Sequence, residues 1–195
     1  MKSTAIFFAA VVAIGAAPAA AHDNHARPHV SAKAEFFPPE HLVAYDATVF
    51  DQQGKSRRFS EVLGDGKVIA TFVYTNCTTI CPVSSAVLQL VQDELQKRGD
   101  TTTRLLSISI DPERDGPQEL ARLAKDFSAG SQWTFVSGPP GEMRSLLRSL
   151  GVRATVVEQH DPMFLVGSSA TQTYSRVTAL PQLDQLMGAL DNVAD

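Results

Sequence analysis

GKVIATFVYTNCTTICPVS, residues 66–84, decides how the rest of the chain reads. Its first half is a continuous apolar run rich in β-branched and aromatic residues, the pattern of a central strand covered on both faces. A helix is expected directly after it. Pro82 suits a first helical turn, Ala86, Val87, Leu90, Val91 and Leu95 recur at helical spacing, and Gly99 stands where a C-terminal cap belongs. Between strand and helix lie Cys77 and Cys81, the only two cysteines in 195 residues.

Outward from this unit the alternation continues. RLLSISI (104–110) reads as a strand, PQELARLAKDF (117–127) as a helix opened by proline, WTFVS (133–137) as a strand and GEMRSLLRSLG (141–151) as a helix closed by Gly151. RATVVEQ, MFLVG and TQTYSRVT follow as short strands, and PQLDQLMGALDNVA as the last helix. Upstream, LVAYDATVF and KSRRFSEVL flank Asp51-Gln52-Gln53-Gly54 as the arms of a hairpin. This order predicts an α/β protein of thioredoxin-like fold, with a central mixed sheet flanked by helices and an N-terminal β-hairpin extension. The chain contains no internal repeats.

The N-terminus sets the compartment. Lys2, the apolar run AIFFAAVVAIGAA (5–17) and small residues around Pro18 make residues 1–21 a secretory signal peptide. The run falls short of the roughly 20 apolar residues that span a bilayer, so cleavage and a periplasmic mature protein without stable membrane insertion are expected. Residues 22–41, with His22, His25, His29 and His41 and three prolines but no period, read as a flexible arm. Residues 42–195 then form one domain. A net charge of −4, with Arg57-Arg58 as the densest basic spot, excludes a nucleic-acid binder.

Cys77 and Cys81 are thereby placed at the carboxyl edge of the sheet and the N-terminus of a helix, where ligands gather and thiolates are favoured. Both sulfurs are expected to ionise more easily than free cysteine. A structural disulfide would close so small a ring that it adds only about 2 kcal/mol. Redox exchange and metal binding are the chemistries that remain. Two thiolates suit Cu(I) and need a third donor. His160, in the loop EQHDPMF, is the only histidine after residue 41 and is predicted to face them. A Cys2His set fits one copper ion; zinc would want a fourth donor, which Asp161 could supply. Met163 is assigned to the core. Peroxidase chemistry lacks its arginine, since none but Arg57 and Arg58 occurs from Gly54 to Leu95.

FVYTNCTTICP, SISIDPERDGPQELARLAKDF and His160 ahead of MFLV together resemble the Sco family, which includes the SenC and PrrC proteins. The resemblance covers residues 40–191. Gln159, Asp161 and Gly167 depart from the family's usual residues around the histidine and after the late strand. It implies a copper-binding protein, with Cys77, Cys81 and His160 as ligands, that helps assemble the binuclear copper centre of a respiratory cytochrome oxidase. The expected partners are a copper-accepting oxidase subunit or other periplasmic copper protein, and a periplasmic thiol reductase that restores the dithiol. The alternatives are a thiol-disulfide reductase in which Cys77 and Cys81 are the catalytic pair, and a redox or copper sensor. Within DPERD, Asp111 to Asp115 are expected to cap the helix that Pro117 opens.

Overall fold

The computed structural model describes residues 33–152 and 161–194. His160 and the expected strand 153–159 lie outside the described residues, as do the signal segment and most of the arm. In chain order the elements are β1 (Glu35–Phe36), β2 (Glu40–His41), β3 (Thr48–Asp51), β4 (Ser56–Arg58), α1 (Phe59–Leu63), β5 (Lys67–Val73) and α2 (Ile80–Arg98). They continue with β6 (Arg104–Ser109), α3 (Pro117–Asp126), β7 (Trp133–Ser137), α4 (Pro140–Ser149), β8 (Met163–Ser168), β9 (Thr173–Thr178) and α5 (Leu183–Asp191).

The described strands form one mixed sheet in the order β1-β9-β8-β5-β6-β7-β3-β4, with β2 also on β9. β5, β6 and β7 run parallel, and β8 joins β5 antiparallel. Every residue of β5 after Lys67 is buried, as its apolar run demands. The two-residue strand period divides that run between two cores. Val68, Ala70 and Phe72 pack with Met143, Leu146 and Leu147 of α4, whereas Ile69 packs with α2, α3 and α5 through Leu88, Leu120 and Leu186. α2 ends as expected: Gly99 has φ 68°, and the amide of Asp100 reaches back to the Leu95 carbonyl.

Two expectations are corrected. The second arm of the N-terminal hairpin shortens to Ser56–Arg58, and FSEVL coils into α1. Phe59 and Val62, three apart, are both buried, so a single helical turn satisfies the spacing better than a strand would. The stretch read as an arm also enters the sheet. Glu35 and Phe36 pair with Thr178 and Val177, and Glu40 and His41 with Tyr174 and Thr173, so that this segment covers the free edge of β9.

Candidate metal centre

The parallel sheet delivers Val73 to its carboxyl edge, and the chain must then turn sharply into α2. Cys77 sits in that turn, its amide bonded to the Tyr74 carbonyl at 3.1 Å. Cys81 lies in the first turn of α2, whose N-cap residue Thr79 makes no side-chain cap bond. The cap is supplied by sulfur instead: the amide of Cys81 donates to Cys77 Sγ at 3.2 Å. Cys77 and Cys81 are not joined in a disulfide, and both are buried, 8% and 2% exposed. Val73, Tyr74, Ile80 and Leu123 pack around them, so the pair faces an apolar wall on the protein side. Two soft sulfurs this close to one another, backed by apolar groups, suit a soft monovalent cation better than a hard divalent one.

The two thiols are not equivalent, which corrects the expectation that both ionise easily. Burial pushes the Cys77 pKa up. The Cys81 thiol, the Cys81 and Thr79 amides and the Tyr74 side chain more than offset it by hydrogen bonding, so the Cys77 thiol lies below its ordinary value. Burial pushes the Cys81 thiol well above its ordinary value, and the Cys77 sulfur and the Asp115 carboxylate push it further. The Tyr74 backbone bonds to the Cys81 thiol and opposes this rise without overcoming it, whereas two amides and two side chains act on Cys77.

The DPERD segment also differs from its expected role. α3 does begin with Pro117, but its N-cap is Gly116, and no side chain caps it. Asp115 turns inward and is 1% exposed. One carboxylate oxygen accepts from the Thr75 amide at 3.1 Å and the Thr75 hydroxyl at 2.6 Å; the other accepts from the Ser109 hydroxyl at 2.6 Å. Asp111, itself buried, accepts from the exposed Arg114 at 2.8 Å. Asp115 thus bonds the turn ahead of Cys77, a placement that sequence reasoning missed because a polar residue between a strand and a proline-led helix looks like a cap.

Among the described residues no group of three His, Cys, Asp or Glu side chains could hold a metal ion. Cys77 and Cys81 are brought together; Asp161 is exposed, and Met163 is partly buried against the core, its sulfur accepting from Arg176 at 2.9 Å. The sheet register pairs Phe164 with Thr71 and bonds Thr71 Oγ1 to the Met163 carbonyl at 3.1 Å. The chain therefore enters β8 at the edge of the sheet from which Cys77 projects. No described helix is long and apolar enough to cross a membrane.

The SCO1/SenC family model matches residues 40–176. The Bacillus subtilis "SCO1 protein homolog" is 34% identical over 92 residues, 47% of this chain and 47% of that protein. The Arabidopsis thaliana mitochondrial "Protein SCO1 homolog 1" is 30% identical over 122 residues, 57% of this chain and 36% of that protein. The matched segments thus span about half, or less, of these curated relatives. A Bacillus anthracis SCO1/SenC family lipoprotein superposes with a TM-score of 0.68 at 18% identity, covering 80% of this chain and 98% of that one. Bradyrhizobium japonicum ScoI, solved with copper bound, gives 0.63 at 21% identity over 78% and 99% of the two chains. At these identities the superpositions show a shared thioredoxin-like fold.

Proposed function

The chain belongs to the SCO1/SenC family, and from that premise we propose that it is a periplasmic copper chaperone for the binuclear copper centre of a respiratory cytochrome oxidase. Copper is its cargo, one ion per chain, held by Cys77, Cys81 and His160. The observation that carries this reading is the buried cysteine pair, not joined in a disulfide, in which Cys77 Sγ in the turn before α2 accepts from the Cys81 amide in its first turn. The entry of β8 at the same sheet edge supports His160 as the third ligand, since His160 precedes Met163 by three positions. Copper-bound structures of relatives in Arabidopsis thaliana and Bradyrhizobium japonicum support copper as the metal. Three protein ligands leave the ion reachable by an acceptor's sulfur, which transfer by ligand exchange requires.

Loading is proton-coupled. Thiolates bind metal, so the proton that burial retains on Cys81 must leave as the ion arrives, and affinity falls as pH falls. The test is a competitive Cu(I) and Cu(II) titration of the reduced mature protein beside Cys77→Ser/Cys81→Ser and His160→Ala. One-to-one binding that vanishes in the double variant and weakens in the histidine variant is expected; a parent that binds no copper overturns the reading.

A second reading rests on the thiol asymmetry, which also suits a thiol-disulfide reductase. The Cys77 thiolate would attack a partner disulfide, forming a mixed disulfide and releasing one partner thiolate. Cys81 would then lose its proton to solvent and attack Cys77 Sγ, releasing the second partner thiolate and passing two electrons to the partner. His160→Ala leaves that activity intact but weakens copper binding, which separates the two readings.

A further inference from the structure

We infer that Asp115 is the positioning residue of the cysteine loop, holding Cys77 and Cys81 in the arrangement that takes the metal. This rests on the reading of the cysteine pair as a copper site. Three chain segments meet at its carboxylate: the exit of β5 through Thr75, the end of β6 through Ser109, and the turn into α3. The amide of Asp115 closes the turn by bonding to the Asp111 carbonyl at 3.0 Å, and Ser109 Oγ accepts from the Asp111 amide at 3.0 Å. The Ile110 amide bonds the Val73 carbonyl at 2.9 Å, so the parallel ladder runs into this knot without a break.

Thr75 lies two residues beyond the end of β5, in the turn that leads to Cys77. Two residues later Cys77 must present its sulfur to the Cys81 amide. The turn between them is secured on one side by the bond from the Cys77 amide to the Tyr74 carbonyl and on the other by Asp115. A helix cap would require a polar oxygen at the N-cap position of α3, yet the carboxylate is spent on a residue 40 positions earlier in the chain. Burying a carboxyl costs folding free energy, and burial does raise its pKa. Two of the three hydrogen bonds go to Thr75 in the turn ahead of Cys77, the third to the end of β6 and none to α3, so the function served is placement of the thiols. Removing partners of this outer kind commonly weakens metal affinity about 10- to 100-fold.

The experiment uses the full mature chain with reduced cysteines and compares Asp115→Asn, Thr75→Val, the two combined, and Thr75→Ser. Each is checked for folding by its thermal transition, titrated with Cu(I) against a competing chelator, and alkylated with iodoacetamide under apo conditions. Asp115→Asn and Thr75→Val are each expected to weaken Cu(I) about tenfold or more, and the combination no more than the worse single change. Thr75→Ser, which keeps the hydroxyl and amide, is expected to bind as the parent does. Alkylation of Cys81, nearly closed to solvent in the parent, is expected to accelerate several-fold in the first three. Folded single variants with parental Cu(I) affinity and parental alkylation overturn the inference. If Asp115→Asn does not fold, Thr75→Val, which keeps the carboxylate, decides alone. A parent without Cu(I) affinity overturns the copper reading, and the alkylation rates then decide the positioning role by themselves.

Discussion

The connections on either side of β6 each turn on one aspartate, and the pair behave in opposite ways. Asp100, between α2 and β6, accepts bonds from the amides and hydroxyls of both Thr102 and Thr103. Burial acts against its charged form, but these four donors hold the carboxyl well below the usual range, at about 2. Asp115, between β6 and α3, also accepts from a threonine's amide and hydroxyl and from a serine. Its deeper burial outweighs three donors, and its pKa is raised. The same local chemistry supports a turn where water is near and holds a functional loop, at a cost in stability, where water is absent.

That contrast can be broken most directly by truncation. Asp115→Ala strands the Thr75 amide and two buried hydroxyls without an acceptor. It is expected to cost about 3 kcal/mol at neutral pH, read from urea unfolding. Asp100→Ala, in a part-exposed turn, is expected to cost about 1 kcal/mol under the same conditions.

The two sites also carry opposite pH signs. Asp100 has a depressed folded pKa, so its stabilisation is complete above its ordinary value of 3.8 and is lost as pH falls towards about 2. The stability gap between parent and Asp100→Asn should close across that window. Asp115 has a raised folded pKa, so the folded state holds its proton more tightly than the unfolded chain does. The parent should lose stability relative to Asp115→Asn as pH rises above 3.8. Parallel pH curves for the two asparagine variants would end the distinction. The smallest expected effect is that of Thr102→Val, which removes one exposed hydroxyl bond to Asp100 while keeping the amide. It should lower stability by about 0.5 kcal/mol in the same unfolding assay.

Much of the fold was legible because its signals are local. The apolar run of β5, the helical spacing of α2 and Gly99 at its left-handed cap occur as expected, with helix boundaries shifted by up to three residues. α1 was missed because one helical turn offers only Phe59 and Val62 as evidence of period. β1 and β2 were missed because pairing with β9 joins residues more than 130 positions apart, and nothing in EFFPPEH encodes that partner. The candidate site divides in the same way. The spacing of Cys77 and Cys81 across a strand-to-helix turn was enough to place them together, while His160 lies outside the described residues.

The sequence by itself determined the class of fold, the adjacency of the two thiols at a helix N-terminus and the chemistry open to them. These follow from periodicities and turn residues acting over a few positions. Only the tertiary structure decided which thiol is the easier to ionise, and that Asp115 serves the cysteine loop instead of capping α3. Both depend on desolvation and on hydrogen bonds to residues distant in the chain, which exist only once the sheet has brought β5 and β6 side by side.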